Sequence, residues 1–335
     1  MDRNHSLLHY TGGTAVSAII EIRELTKKFA KRTAVDRVNL TIESGEIFGL
    51  VGPNGAGKTT TMRMLVTLLQ PDHGEIWVGG HSVRKAPRQV RRIIGFMPDS
   101  FGVYGDMTVY EYLDFFGACY QLPPLQRQNL IKDLLELVDI GHRRDDMVDT
   151  LSRGLKQRLG LARVLIHDPG ILILDEPASG LDPRARVEIR ELLLEIAHLG
   201  KTIIFSSHIL ADVAELCTSV GIMESGKVVA VGTLDQLSAK AVPHRLIQVA
   251  FLNQINLEKA QAALSALPGI SQVRPREGLG KAEWLSLEAE FIGDDGALAQ
   301  LLGNLVEQGL PIVHFSEETQ NLEEVFMRAT RGIVS

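Results

Sequence analysis

The stretch Gly52-Pro53-Asn54-Gly55-Ala56-Gly57-Lys58-Thr59 fits the spacing Gly-x-x-x-x-Gly-Lys-Ser/Thr. A loop of that kind holds phosphate. Its glycines let successive backbone N–H groups close around phosphate oxygens. Lys58 would bring a full charge to the β- and γ-phosphates, and the Thr59 hydroxyl would reach a magnesium ion. The loop follows an apolar run, Gly45–Val51, and opens a helical stretch, Gly57–Leu69, which stops before Pro71. A helix N-terminus there adds partial positive charge. An ordinary glycine-rich turn would need neither the strand nor the helix.

A second cluster ends another apolar run, Ile171–Leu174, in Asp175-Glu176-Pro177. Asp175 could hold Mg²⁺ directly or through water. Glu176 would polarise an attacking water as general base. Taken alone, the segment reads first as a core strand capped by acidic loop residues. Downstream of a phosphate loop in the same sheet, the catalytic reading is favoured. No Asn-Lys-x-Asp segment for reading guanine occurs, which argues against a GTPase. In Leu151-Ser152-Arg153-Gly154-Leu155-Lys156-Gln157-Arg158, Ser152 can cap the next helix. It reads either as an N-cap alone or as a second helix N-terminus and hydroxyl aimed at a γ-phosphate.

These residues need a scaffold, and the surrounding pattern supplies one. Ile19–Ile22 and Ala34–Ile42 read as strands. Residues from about Phe96 to Val164 read mostly as helix, with a capping box at Thr108 and Glu111 and helical spacing over Leu125–Ile140. Then come helix Pro183–Leu199 closed by Gly200, strand Thr202–Phe205 and helix Leu210–Cys217. A hairpin, Val220–Met223 with Lys227–Val231, turns at Ser225-Gly226. Alternating strands and helices predict an α/β fold with a mainly parallel sheet. An antiparallel β subdomain and a helical insertion accompany it.

The pattern restarts near Pro243. Strand Leu246–Phe251, helix Leu257–Leu267, strands Ser271–Arg274 and Trp284–Leu287, helix Ala297–Glu307 and strand Ile312–Phe315 give a βαββαβ order. A terminal helix from Leu322 follows. This predicts a small α+β ferredoxin-like domain. The expected division is a flexible tail at 1–17, a domain at 18–240 with its helical part at about 96–165, and an accessory domain at 241–335.

Composition sets the outer limits. A chain of 335 residues suggests about two domains. No apolar run approaches a membrane span, and the first twenty residues do not read as a secretory signal. Two distant cysteines, Cys119 and Cys217, exclude a disulfide framework and suit a reducing cytoplasm. Net charge is −6. Residues 1–240 carry 28 basic and 29 acidic groups, so no nucleic-acid partner is expected.

Phosphate loop, Leu-Ser-x-Gly segment, Asp-Glu pair, Ser179-Gly180-Leu181-Asp182 and His208 follow in one order over roughly residues 19–235. In this the chain resembles the nucleotide-binding subunit of an ABC transporter. The resemblance implies a P-loop NTPase fold of ABC type, with ATP and Mg²⁺ as cofactors. ATP would be bound by Phe29, Gly52, Asn54, Gly55, Gly57, Lys58, Thr59 and Thr60. Phe29 would stack on adenine, its alternative being a buried core position. Mg²⁺ would be held by Thr59, Asp175 and Asp99. Glu176 and His208 would be catalytic. Ser152 and Gly154 would contact ATP held by a second subunit, and Asp182 would help form the interface of a head-to-tail homodimer.

Two departures stand out. Asp99 occupies a position where the family usually has Gln, adding a negative charge and shortening the side chain. Arg153 and Leu155 replace the usual Gly and Gln. The segment Asn321-Leu322-Glu323-Glu324-Val325-Phe326 is similar to the tail of drug-resistance-type exporter ATPases that pair with a separate ABC-2 permease. The same segment reads equally as an amphipathic helix packed into its own domain. The resemblance therefore implies an ATP-driven subunit at the inner face of the cell membrane, partnered by a multi-span permease. Its rivals are a soluble ABC ATPase acting on ribosomes or DNA, and a non-hydrolysing nucleotide binder.

Overall fold

Four of the sequence's apolar runs become strands with almost no exposed residue, and their loops all leave at one edge. In the computed structural model, β1 (Ala18–Phe29) and β2 (Arg32–Glu43) form an antiparallel pair. Its side chains alternate between core and solvent along much of β2, as a sheet with one covered face requires. The described residues are 18–30, 32–99, 102, 105–234, 236–237, 244–252, 257–276 and 284–318.

β3 (Ile47–Val51) is buried at every position and runs straight into the phosphate loop and α1 (Lys58–Leu65). The helix stops four residues short of the predicted Leu69. Thr67 takes φ +65°, and the Leu68 and Leu69 N–H groups both turn back to the Arg63 carbonyl. A left-handed residue thus closes the helix before Pro71 can break it. The elements β4 (His73–Val78), β5 (His81–Ser82) and α2 (Pro87–Ile93) follow. They were not legible as separate elements. Phe96, expected to begin the helical insertion, lies instead in strand β6 (Ile94–Met97). Parallel pairing with the strand at Ile171–Asp175 overrides any helical tendency there.

The helical part begins with α3 (Val109–Cys119), capped as predicted. The Glu111 N–H donates to Thr108 Oγ1 at 3.2 Å, and the Thr108 N–H donates to Glu111 Oε2 at 2.8 Å. α4 (Pro124–Leu137) and α5 (Arg153–Leu165) complete it. Strand and helix then alternate: β7 (Ile171–Asp175), α6 (Pro183–His198), β8 (Thr202–Ser207), α7 (Leu210–Leu216), β9 (Ser219–Glu224) and β10 (Lys227–Gly232). Ser225 and Gly226 both have positive φ, 48° and 83°, as a two-residue hairpin turn demands.

Two sheets result, ordered β2-β1-β4-β5 and β10-β9-β3-β8-β7-β6. In the second, β3 pairs in parallel with β8 and β9, and β7 pairs in parallel with β6 and β8. The segments following β3, β6, β7 and β8 therefore emerge at one carboxyl edge, where α/β sheets bind ligands. Burying each Leu, Ile, Val or Phe of these strands is worth about 1.5–3 kcal/mol. That burial holds the edge rigid.

The chain divides into two compact units, Met1–Val228 and Val229–Ser335. The second contains β11 (His244–Leu252), α8 (Leu257–Ser265), β12 (Ile270–Pro275), β13 (Trp284–Ile292), α9 (Asp295–Glu307) and β14 (Ile312–Glu318). Its order, β12-β13-β11-β14, is antiparallel throughout. That is the ferredoxin-like arrangement. Ala260, Leu264, Leu301 and Leu305 of the helices pack on Ile247, Val249, Phe251, Leu287 and Phe291 of the sheet. The tail at 1–17, the segment Asn321–Phe326 and the helix from Leu322 lie outside the described residues.

Candidate functional site

The phosphate loop needs glycine at two points for reasons visible in the backbone. A Cβ on Gly52 would lie 2.1 Å from the Met223 carbonyl oxygen. Gly57 has φ +109°, and a Cβ there would lie 2.5 Å from the Ala34 oxygen. Lys58 is only 6% exposed. Its ammonium donates to the Gly52 oxygen at 2.6 Å and the Pro53 oxygen at 3.3 Å, and lies 3.5 Å from Glu176 Oε1. A buried cation is tolerable only with such partners. Phosphate oxygens would compete for the same ammonium.

Parallel register places Asp175 of β7 beside Ser206 of β8. Ser206 Oγ donates to Asp175 Oδ1 at 2.6 Å and accepts the Glu176 N–H at 3.0 Å. Thr59 Oγ1 donates to the same Asp175 oxygen at 3.1 Å. Asp175 is 2% exposed, so its orientation is fixed by these hydroxyls. Glu176 adopts φ +51°, a left-handed conformation costing about 1–2 kcal/mol for a residue with a side chain. The turn swings its carboxylate away from the strand axis, where His208 Nδ1 lies 2.7 Å from Oε2. Lys58, Glu176 and His208 thus form one continuous polar chain.

An open cleft of about 560 Å³ brings together Phe29, Asn54, Lys58, Asp99, Glu176 and His208, with Gly55, Gly57, Thr59 and Thr60 also in its wall. Gly52 sits behind Lys58, and Asp175 lies beneath Thr59. Phe29 ends β1 and is 48% exposed, so it is not a core residue. Lys27 Nζ lies 5.6 Å from its ring centroid. An exposed aromatic face beside a phosphate loop suits base stacking.

Ser152, Gly154 and Asp182 are elsewhere. They line a separate cleft of about 310 Å³, together with Arg153, Gly180 and Leu155. Ser152 caps α5, accepting the Leu155 N–H at 3.4 Å, and Asp182 caps α6, accepting the Ala185 N–H at 3.0 Å. Two helix N-termini therefore open into one concavity. The Arg153 guanidinium lies against Gly180, close enough that a Cβ there would fall 2.5 Å from it.

Two contributors to the first site, Arg32 and Ser206, were not foreseen. Arg32 donates to the Gly55 oxygen at 2.8 Å and clamps the loop from β2. Ser206 orients both acids, and only its place two residues before His208 hinted at a role. Ser179 joins the cleft wall from the turn after Glu176.

The sequence profile of the ABC transporter family matches residues 35–179, spanning both the phosphate loop and the Asp175-Glu176 pair. Similarity extends over nearly the whole chain to the linearmycin resistance ATP-binding protein LnrL of Bacillus subtilis (strain 168). Identity is 30% over 312 residues, covering 93% of this chain and 98% of that protein. The chain belongs to the ABC transporter ATP-binding proteins. The bacitracin transport ATP-binding protein BcrA of Bacillus licheniformis is 32% identical over 318 residues, 95% of this chain and 99% of that one. A solved ATP-binding subunit of an ABC transporter superimposes with a TM-score of 0.61 at 29% identity, covering 66% of this chain and 92% of that one. As an ABC ATPase the protein binds and hydrolyses ATP. No helix among its described residues is long and apolar enough to cross a membrane.

Proposed function

We propose that this ABC ATPase dimerises on ATP and powers a separate multi-span permease of the ABC-2 type, working in export at the inner face of the cell membrane. The observation that carries the catalytic part is the Lys58–Glu176–His208 chain beside the phosphate loop. Glu176 is the proposed general base, and His208 orients both it and the attacking water. Lys58 draws the β- and γ-phosphates, Asn54, Gly55, Gly57 and Thr60 supply loop contacts, and Phe29 stacks on adenine. Export is suggested by relatives named for linearmycin resistance and bacitracin transport. A Nod factor export ATP-binding protein of Ralstonia nicotianae, 31% identical over 319 residues, points the same way.

Magnesium fits the oxygen donors present. Among the described residues no cluster of three or more His, Cys, Asp or Glu could hold a metal. Mg²⁺ asks for one or two protein oxygens and takes the rest from phosphate and water. Thr59 and Asp175 offer a hydroxyl and a carboxylate 3.1 Å apart, and Asp99 shares the cleft wall. When bound, the ion would neutralise charge on the β- and γ-phosphates.

The second cleft supports the dimer reading. Ser152, Gly154 and Asp182 present two helix N-termini that suit a γ-phosphate arriving from another chain. Hydrolysis would then remove the group that links two subunits, converting binding energy into motion of the partner. A groove of about 200 Å³ beside β6, lined by Leu68, Phe96, Phe116, Tyr120 and His167, offers the permease a docking surface.

Two measurements test this. A tagged full-length chain expressed in its own cells should capture a multi-span membrane protein; recovering ribosomes instead would sink the transport reading. Glu176→Gln should lower steady-state ATP turnover by about 10²–10⁴-fold while leaving ATP bound and the dimer accumulated. Equal turnover in the two proteins would remove Glu176 from its assigned role.

A further inference from the structure

Between Glu75 and Asp99 the sequence contains no acidic residue, yet it carries Arg84, Lys85, Arg88, Arg91 and Arg92. All five are exposed. Helix geometry places three of them. Val90 of α2 is fully buried, and Arg88, Arg91 and Arg92, spaced three and four apart, lie on the face away from it. Arg91 donates to Thr67 Oγ1 at 2.9 Å and Arg84 to the Pro71 oxygen at 2.9 Å, which fixes this surface against the segment after α1. Among the described residues the side chains of Lys85, Arg88 and Arg92 form no ion pair.

So dense a cluster is local, because residues 1–240 are nearly balanced in charge. Like charges this close repel one another and favour any state that brings a counter-charge. The cluster adjoins the groove assigned above to the permease, since Arg91 also lines that groove. Two anionic partners could be met on a membrane-facing side: acidic groups of the permease, or lipid headgroups. Cytoplasmic loops of membrane proteins carry an excess of Lys and Arg, so they would on average repel this surface. The cytoplasmic leaflet is anionic and attracts clustered basic residues.

We propose that Lys85, Arg88 and Arg92 form a contact for anionic phospholipid headgroups, holding the ATPase flat against the leaflet beside its docking groove. The direction this face points rests on the permease reading; the lipid affinity itself does not.

Cosedimentation of the full chain with vesicles tests it. Vesicles of phosphatidylcholine mixed with phosphatidylglycerol should bind the protein, pure phosphatidylcholine should not, and added salt should release it. Replacing Lys85, Arg88 and Arg92 together by Gln should weaken binding about a hundred-fold, roughly five-fold for each charge, with ATP turnover unchanged. Arg88→Lys should keep binding, because a point charge suffices. Equal association with neutral vesicles, or a triple variant that binds like the parent, would overturn the proposal. So would a triple variant unaltered on vesicles but poorer at capturing the permease, which would assign the patch to a protein contact. Failure of the permease reading shows differently, as capture of no multi-span protein by a chain whose vesicle binding is intact.

Discussion

The two clefts of the ATPase unit are built in opposite ways. In the phosphate-loop cleft Lys58, Thr59, Glu176 and His208 already have side-chain partners within the chain. Lys58 is tied to two carbonyls and to Glu176, Asp175 to two hydroxyls, and Glu176 to His208. In the second cleft Ser152 and Asp182 only cap their own helices, while Arg158 and Arg184 in its wall both pair with Glu188. The first is a preorganised site whose dipoles are set before substrate arrives. The second presents two side-chain-capped helix N-termini to an open concavity. The contrast favours completion of the second by a partner's nucleotide. It also gives Arg153 a consequence, since a guanidinium now lies at that mouth where the family usually has glycine.

Two substitutions probe the contrast directly, in falling order of effect. Lys58→Ala should cut ATP affinity more than a hundred-fold, because charge-assisted hydrogen bonds are worth about 1.5–3 kcal/mol each. Isothermal titration would show it, and unchanged affinity would refute the preorganised site. Ser152→Ala should leave the ATP affinity of the single chain within about two-fold, yet lower turnover and ATP-dependent dimerisation roughly ten-fold, one hydrogen bond to a charged group. It should also cost about 1 kcal/mol of stability through the lost cap. A fall in single-chain affinity as large as that of Lys58→Ala would merge the two clefts into one site.

The smallest effect concerns pH and the docking groove. Burial holds the His167 imidazole below its ordinary value, while its Nε2 lies 2.9 Å from the Ile94 oxygen and its ring stacks on Tyr120 at 3.9 Å. The unfolded chain therefore binds the extra proton more readily than the folded one. Its contribution is complete above the ordinary histidine range and declines as pH falls below about 6.5. His167→Phe should flatten the pH dependence of the thermal midpoint between about pH 7 and 5. An unaltered slope would show that this ring does not titrate on unfolding.

Much of the ATPase unit could be read without coordinates, because its chemistry sits in contiguous segments. Loop spacing, the strand-end acids and the capping box are local facts, governed by backbone sterics and helix ends. The β4–β5–α2 region was opaque for the opposite reason. Its short strands and seven-residue helix carry little periodicity and are held by the neighbours that cover them. Arg32 and Ser206 were missed because no spacing links them to Gly55 and Asp175; strand pairing does. The ferredoxin-like order was legible from alternation, but its sheet order rests on which strands meet.

What the sequence determined alone, then, was the inventory: a phosphate loop, two acids at a strand end, a Leu-Ser-x-Gly segment and the aromatic Phe29. Tertiary structure decided their grouping. Parallel pairing of β6, β7, β8 and β3 sends four loops to one edge and unites Lys58, Asp99, Glu176 and His208. The same fold carries Ser152 and Asp182 to another cleft on α5 and α6. Distance along a chain has no bearing on which strand lies next to which, since burial and register choose the neighbours.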